Sequence, residues 1–331
     1  MFDTECAGIE LISLITAIPF YFFLLFIFET IYYSVSFKKH NSEISTNTTE
    51  DDVLLEENKA FSSKPENATF LVKKLRKVYK NSNGDNVVAL NSFSLKLDKG
   101  CVFGLLGPNG AGKSTTFALI TQCLPAKGEM YFCGCNAREN PSLANSYLGF
   151  CPQYNSFFPL LTTKENLEFY AKIKGVIKGK IDIIVNRLLH DSNIKQFENI
   201  EAGTLSGGNK RKLCVAISFI GNPPIILIDE LSTGVDPQAK RHIWNSISRL
   251  KTKHKDIIII LSTHSMEEAE NLASKIGILI KGNLKCIGSA YEIKNRFDQA
   301  FQIEYRVKIP EEASLNNLLN KWGLLSNPDI D

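Results

Sequence analysis

A glycine-rich octapeptide from Gly107 to Ser114 constrains the fold of this chain more than any other feature. Its sequence, G-P-N-G-A-G-K-S, fits the phosphate-loop pattern G-x-x-x-x-G-K followed by serine or threonine. The apolar run 101–106 before it predicts a strand, and residues 114–124 after it predict a helix. Because this strand, loop and helix are the context that the pattern requires, the octapeptide predicts an α/β domain that binds phosphate groups.

Each residue type in this loop has a physical reason to be there. Glycines let backbone N–H groups close around phosphate oxygens, and a helix N-terminus favours negative charge. Lys113 is expected to reach the outer phosphates, and the Ser114 hydroxyl is expected to hold Mg²⁺. A glycine-rich turn with a stray lysine is the alternative, and the flanking strand and helix disfavour it. The candidate nucleotide-binding residues are Gly107, Pro108, Asn109, Gly110, Ala111, Gly112, Lys113, Ser114 and Thr115.

Two adjacent carboxylates end a strongly apolar run further along the chain. The runs 225–228 and 257–261 predict strands that are buried on both faces of a parallel sheet. The first run leads directly into Asp229 and Glu230. Asp229 is a candidate Mg²⁺ ligand, and Glu230 is the candidate for polarising an attacking water. Alone these could be two solvated acids at a strand end, but together with the phosphate loop they predict hydrolysis of a nucleotide.

A third motif consists of Leu205, Ser206, Gly207 and Gly208, followed by a basic segment and an apolar helix. Two glycines before a helix leave backbone N–H groups pointing outward, which suits a γ-phosphate. However, the phosphate loop of the same chain is already expected to hold the γ-phosphate of one nucleotide. By itself the tetrapeptide is a weak signal, because Ser-Gly-Gly is common in linkers.

The order of these motifs resembles the ATPase domain of ABC transporters. Phosphate loop, Gln153, Leu-Ser-Gly-Gly, Ile-Asp-Glu and His264 follow one another within about residues 69–298. The resemblance implies an α/β fold of the P-loop NTPase type with a mixed or parallel sheet core. It also implies an N-terminal antiparallel β subdomain, a helical subdomain at about residues 155–215, and ATP with Mg²⁺ as ligands.

The resemblance also implies roles for single residues. Lys113 and Glu230 would be catalytic together with Gln153, which would contact Mg²⁺ and the attacking water, and with His264, which would contact the γ-phosphate. Tyr79 matches the aromatic residue that stacks on adenine, although an aromatic side chain near a strand end is often only packing.

Two further positions concern the segment after the carboxylates. Asp236 matches the aspartate that couples paired nucleotide sites in the family. Leu231 stands where the family usually has proline. Since both flanking carboxylates are intact, we expect this departure to leave activity in place.

The expected partners also follow from the resemblance. In the family, each nucleotide lies between the phosphate loop of one ATPase domain and the Ser-Gly-Gly turn of another. A second ATPase domain, in the same or a different chain, and transporter membrane domains are therefore expected. Residues 151–155 with Leu161 and Thr162, the run 207–212 and residues 294–297 resemble the A subfamily, whose members export lipids. A lipid substrate follows by analogy alone.

The N-terminal region predicts membrane attachment. Residues 11–28 include no charged residue, and a bilayer-spanning helix needs about 20 apolar residues, so a transmembrane helix is expected within residues 1–40. Lys38, Lys39 and His40 follow the run, which favours a cytoplasmic location for the rest of the chain. Residues 41–66 are rich in Ser, Thr, Asn and acidic residues and predict a flexible cytoplasmic linker. The sequence does not identify the membrane.

Residues 67–298 are expected to form the ATPase domain, and 299–331 the incomplete start of a small α/β regulatory domain. Because a single span cannot form a transport pathway, the sequence is expected to be a fragment of a longer transporter, an incomplete gene model, or a half-size protein that needs partners. These three possibilities stay open.

Two other classes of protein share these nucleotide-binding motifs. A soluble ABC protein acting on ribosomes or DNA is disfavoured by the apolar run and by a net charge of only +3, and no nucleic-acid partner is expected. A non-transport or regulatory ABC module with little turnover of its own is the second alternative. The presence of Glu230 and His264 disfavours it.

Overall fold

The computed structural model describes residues 51–80, 85–125, 127–231, 235 and 237–297. The chain divides after Ile293 into two units, and only residues 294–297 of the second are described. The predicted membrane helix within 1–40, Asp236 and the predicted regulatory domain at 299–331 lie outside the described residues. None of the helices in the described ranges is long and apolar enough to cross a bilayer.

The first sheet is antiparallel and has four strands in the order β2-β1-β4-β5. Its strands are β1 (Phe70–Lys80), β2 (Asn86–Leu97), β4 (Lys127–Phe132) and β5 (Cys135–Asn136). Segments 69–79 and 86–97 alternate apolar and polar residues around residues 83–85, Asn-Gly-Asp, which predicts a hairpin. The structure confirms it, since Phe70 pairs with Leu97 and Lys80 pairs with Asn86. This sheet is the antiparallel β subdomain expected from the resemblance.

The second sheet has six strands in the order β10-β9-β3-β8-β7-β6. Its strands are β3 (Val102–Leu106), β6 (Leu148–Cys151), β7 (Ile225–Asp229), β8 (Ile258–Thr263), β9 (Lys275–Ile280) and β10 (Asn283–Gly288). Neighbouring strands are parallel except for β10, which is antiparallel to β9. The sequence of residues 276–288 predicts this hairpin, with its turn at Gly282 and Asn283. The mixed sheet core is therefore confirmed.

Helices connect and cover these strands. Their bounds are α1 (Asp51–Ser62), α2 (Lys113–Ile120), α3 (Pro141–Ser146), α4 (Thr163–Ile173), α5 (Ile181–Asp191), α6 (Gly207–Ser218), α7 (Pro237–Lys253), α8 (Met266–Leu272) and α9 (Ala290–Phe297). The helix predicted over 114–124 is α2 and ends earlier, at Ile120. α4, α5 and most of α6 fall in the predicted helical subdomain at 155–215.

The central strands are buried on both faces, as their apolar runs predict. Along β7, Ile226 and Ile228 belong to the apolar cluster that includes residues of α4, α5, α6 and α7. Ile225 and Leu227 belong to the cluster that includes Phe70 of β1 and residues of α2. Because successive strand side chains point to opposite faces, β7 serves both clusters at once. Such continuous apolar runs are typical of a covered parallel sheet.

The prediction of a flexible linker at residues 41–66 is wrong for residues 51–62, which form α1. Val53 and Ala60 are buried, and the buried Glu56 carboxylate accepts a hydrogen bond of 2.6 Å from Lys275 Nζ. The Asp52 carboxylate accepts from the backbone N–H of Ile287 at 3.3 Å. Two of the acidic residues that suggested a solvated linker, Glu56 and Asp52, thus have partners on β9 and β10.

Candidate nucleotide site

The predicted motifs meet because of the strand order. β3, β8, β7 and β6 are consecutive parallel neighbours, so the segments that follow their carboxyl ends lie at one edge of the sheet. The phosphate loop follows β3, His264 follows β8, Glu230 follows β7 and Gln153 follows β6. The backbone N–H of Gly107 also donates to the carbonyl of Thr263 at 3.3 Å, which ties the loop to the end of β8.

These segments surround a cavity of about 440 Å³. Its lining combines predicted site residues with residues from β2 and from the β9–β10 turn. The lining residues are Val87, Val88, Ala89, Asn109, Gly110, Gly112, Lys113, Ser114, Thr115, Gln153, Glu230, His264 and Gly282. The four predicted catalytic residues are therefore brought together at one cavity, with the phosphate loop forming part of its wall.

The phosphate loop needs glycine at its two ends for steric reasons. A Cβ atom on Gly107 would lie 2.4 Å from the carbonyl oxygen of Leu279. Gly112 has φ of 108°, and a Cβ atom there would lie 2.5 Å from the carbonyl oxygen of Ala89. The loop backbone is thus held close against β2 and β9, where no side chain fits.

Lys113 is buried and anchored at the base of the loop. Its Nζ donates to the carbonyl oxygens of Gly107 at 2.8 Å and Pro108 at 3.1 Å. The same ammonium lies 3.8 Å from a carboxylate oxygen of Glu230. The lysine therefore places a positive charge at the cavity wall between the phosphate loop and the end of β7.

Asp229 is buried behind the cavity and contacts two hydroxyl groups. Its carboxylate accepts hydrogen bonds from Ser262 Oγ and from the Ser114 side chain. Burial raises the pKa of Asp229, the negative charge of Glu230 adds to the rise, and the two hydroxyls and the Arg211 guanidinium oppose it. Ser114 and Asp229, two of the three residues predicted to contact Mg²⁺, are therefore adjacent.

This donor set suits a hard cation that is also held by phosphates. Mg²⁺ prefers oxygen ligands and is usually bound through one or two carboxylates plus substrate phosphates. Within the described ranges, no group of three or more His, Cys, Asp or Glu side chains could hold a metal ion by itself. A serine hydroxyl and one carboxylate beside a phosphate loop fit Mg²⁺ in that shared mode.

Glu230 leaves the strand in an unusual backbone conformation. Its φ is 42°, in the left-handed region that costs a non-glycine residue about 1–2 kcal/mol. The turn is fixed because the Glu230 N–H donates to Ser262 Oγ at 3.0 Å. The carboxylate accepts a hydrogen bond of 2.8 Å from Gln153 Nε2. The turn thus directs Glu230 to Gln153 at the cavity instead of along the strand.

Two predicted features lie apart from the cavity lining. Tyr79 is half-buried on β1 and pairs with Val87, which lines the cavity, but Tyr79 is not itself among the described lining residues. Leu205 is buried, whereas Ser206 and Gly207 are exposed at the start of α6. Among the residues described, none from 205 to 208 lines the cavity. Ser206 and Gly207 are therefore exposed without being part of the described wall of this cavity.

Sequence reasoning missed two residues that organise the site. Ser262 bonds both Asp229 and the Glu230 N–H, and its signal was a polar residue directly after the apolar run 257–261. Arg211 donates to backbone carbonyls around Gln153 and Glu230. In the sequence Arg211 is only one member of a basic run, because the residues that it contacts are distant along the chain.

Comparison with known proteins agrees with this geometry. The family model described as ABC transporter matches residues 90–233. ATP-binding cassette sub-family A member 7 of Rattus norvegicus is 36% identical over 259 residues, which are 78% of this chain. The chain belongs to the ABC transporter family. The described domain is thus an ABC ATPase domain, and the resemblance on which the site residues were assigned is confirmed at the level of the family.

The A subfamily is supported by a second relative. The retinal-specific phospholipid-transporting ATPase ABCA4 of Bos taurus is 35% identical over 273 residues, which are 82% of this chain. The aligned regions make up 12% of each of these two relatives, so the chain spans a small part of their length.

Solved structures share the fold of the ABC ATPase domain. An ATP binding subunit of an ABC transporter is 26% identical with a TM-score of 0.60, covering 70% of this chain and 94% of that one. The dimeric post-hydrolysis structure of the ATP-binding cassette MJ0796 bound to ADP and Pi has 23% identity and a TM-score of 0.59. It covers 67% of this chain and 98% of that one, and it supports the fold alone.

Proposed function

We propose that this domain binds ATP with Mg²⁺ and hydrolyses it to drive a membrane transporter that moves lipids. The observation that carries the proposal is the convergence of Lys113, Gln153 and Glu230 on a cavity that glycines also line, where Ser114 in the wall contacts the buried Asp229. Phosphoryl transfer needs positioned charges more than covalent chemistry, and this arrangement supplies them.

Each residue has a role that its position allows. Lys113 and the loop N–H groups attract the phosphates, and Glu230 accepts a hydrogen bond from the attacking water while Gln153 orients the Glu230 carboxylate. Ser114 and Asp229 would hold Mg²⁺, which when bound offsets the negative charge of the phosphates. His264 lines the cavity and would contact the γ-phosphate, and Tyr79 would stack on adenine beyond Val87.

The partner and the cargo are part of the same proposal. The exposed turn at Ser206 and Gly207 suits the nucleotide of a second ATPase domain, and the related cassette MJ0796 is dimeric. A transmembrane helix within residues 1–40 would attach the chain to a membrane, with the ATPase domain in the cytoplasm and Asp236 coupling the paired sites. The lipid cargo rests on the A-subfamily relatives, one of which is a phospholipid-transporting ATPase.

Glu230→Gln in the full chain tests the hydrolytic role. The glutamine amide oxygen can still accept the hydrogen bond from Gln153, but it cannot take a proton from the attacking water. ATP binding should therefore persist while kcat falls about 100-fold or more. Glu66→Gln is the matched control, because Glu66 is an exposed carboxylate in a short 3₁₀ turn. Mg²⁺-dependent phosphate release and binding of a fluorescent ATP analogue give the two readouts. Turnover at the wild-type rate in Glu230→Gln would remove Glu230 from the role assigned to it.

A further inference from the structure

Arg211 occupies an unusual position for a cationic side chain. It lies on α6, one helical turn after Gly207, and is only 4% exposed. All of its hydrogen bonds in the described part of the chain go to backbone carbonyl oxygens. The Nε atom donates to the carbonyl of Leu231 at 3.1 Å. Nη1 donates to the carbonyl of Pro152, and it also donates to that of Gln153 at 3.3 Å. Nη2 donates to the carbonyl of Asp229, and it also donates to that of Glu230 at 3.3 Å.

These carbonyls belong to two different segments of the site. Pro152 and Gln153 follow β6, whereas residues 229–231 form the end of β7 and the turn after it. β6 and β7 are neighbouring parallel strands, so their carboxyl ends lie side by side. One planar guanidinium therefore bridges the backbones of the two residues whose side chains meet at 2.8 Å, Gln153 and Glu230.

The geometry explains why the bridge matters for chemistry. Glu230 is held with a positive φ of 42°, and residues in that region persist only where their surroundings fix them. Gln153 is exposed and follows the last residue pairs of β6, so the sheet alone does not fix its backbone. Arg211 supplies donors to both segments from one rigid group.

We propose that Arg211 is a positioning residue that fixes the Gln153 loop and the Glu230 turn relative to each other and to α6. The proposal deepens the proposed function and rests on it for the effect on turnover. Because α6 begins at the exposed Gly207 turn, Arg211 also connects the surface offered to a partner's nucleotide with the catalytic pair of its own chain.

Lysine cannot reproduce this bridge. An ammonium is a compact charge with three donors around one atom, whereas the guanidinium presents five donors in a plane. A lysine side chain at this position would serve one of the two segments at a time. Arg211→Lys should therefore retain more activity than Arg211→Met, which keeps a flexible apolar stem and supplies no donor.

The test compares wild type, Arg211→Lys and Arg211→Met in the full chain, with Glu56→Gln as the control. Glu56 is also a buried charged side chain, but its partner Lys275 lies at the start of β9, away from the cavity. The readouts are kcat, KM for ATP, melting temperature, and hydrogen exchange at the amides of residues 153–155 and 230–231. Hydrogen exchange needs no turnover, so it reports on the two segments by itself.

We expect kcat to fall about 10-fold in Arg211→Lys and about 100-fold in Arg211→Met, because small displacements of catalytic groups are costly. KM should stay within about twofold, since the phosphate loop is untouched. Exchange should become about tenfold faster or more in both segments. Glu56→Gln should lower the melting temperature and leave kcat and exchange in both segments unchanged.

Three outcomes would overturn the proposal. Wild-type exchange in either segment of Arg211→Met would show that the residue does not bridge them. Wild-type kcat with faster exchange, or a loss of kcat no larger than the loss of folded protein, would leave Arg211 a purely structural residue. If wild type itself released no phosphate, the proposed function would fail, while the exchange data would still decide whether Arg211 fixes the two segments.

Discussion

Replacing Lys275 with methionine should weaken the attachment of α1 to the sheet. Lys275 Nζ is the donor to the buried carboxylate of Glu56 on α1, at 2.6 Å. Methionine keeps the aliphatic stem of lysine but removes the ammonium, so the change is mainly electrostatic. The Glu56 carboxylate would then remain buried with only Lys59, whose Nζ is 3.9 Å away and whose side chain is 68% exposed.

The size of the effect follows from how deeply the pair is buried. Removing one partner of a fully buried ion pair costs about 3–5 kcal/mol, because the other charge is left without compensation. Here the Glu56 side chain is 5% exposed but that of Lys275 is 29% exposed, and Lys59 offers weak compensation. We therefore expect about 2 kcal/mol, which corresponds to roughly a 30-fold increase in the population with α1 detached.

Cys286 provides the assay for detachment. This buried thiol on β10 donates to the Asp52 carboxylate of α1 at 3.8 Å, so it should become reactive when α1 leaves. Its alkylation rate, followed by peptide mass spectrometry, should rise roughly 30-fold in Lys275→Met. The exposed Cys123 is the internal control and should react at the same rate in every variant.

A double variant separates charge from packing. Lys275→Met with Glu56→Gln removes both charges, and replacing both partners of a buried pair is much less costly than removing one. Cys286 should then react more slowly than in Lys275→Met alone. A double variant that alkylates as fast as the single one, or a single variant at the wild-type rate, would show that the ion pair does not hold α1.

Two further predictions concern the site. Burial raises the pKa of Asp229 in the folded chain, so the folded state favours the protonated carboxyl group. The stability that this group contributes is complete below the ordinary carboxyl pKa and is lost as pH rises through the raised pKa. Asp229→Asn should therefore raise the melting temperature of the nucleotide-free chain at pH 7, yet weaken Mg²⁺-dependent ATP binding about tenfold or more; a lower melting temperature would contradict the burial argument. The Glu230→Gln chain should form a dimer in sedimentation when ATP is bound. Adding Gly207→Asp should abolish this dimer while ATP binding persists, whereas adding Gly179→Asp, at an equally open position, should not. Loss of ATP binding by folded Gly207→Asp would contradict a two-domain sandwich.

The sequence predicted those parts of the fold whose signals are local. The phosphate loop, the apolar strands β7 and β8 and the β9–β10 hairpin all carry their pattern within a few adjacent residues. β4 and β6 were missed because Lys127–Phe132 mixes charged and apolar residues and Leu148–Cys151 is very short. Their strand character depends on pairing with β1 and β7, which no local pattern reveals.

The same distinction holds in the site. Residues with a chemical motif, such as Lys113 and Glu230, could be assigned from the sequence and were brought together by the strand order. Arg211 could not, because its carbonyl partners lie 18 to 59 residues away along the chain. α1 was missed because the partners of Glu56 and Asp52, which are Lys275 and the Ile287 N–H, lie more than 200 residues downstream.

The packing of α1 against the ATPase domain limits how far this domain can lie from the proposed membrane helix. If the proposed membrane helix ends near residue 37, the segment 38–50 is all that joins it to a fixed point on the ATPase domain. In any conformation such a segment spans at most ~45 Å, whereas a free linker through residue 66 would span roughly 100 Å. With the shorter span, the ATPase domain would stay within about 45 Å of the end of the proposed membrane helix. This raises its effective concentration toward any partner anchored in the same membrane, without a single additional contact between the two.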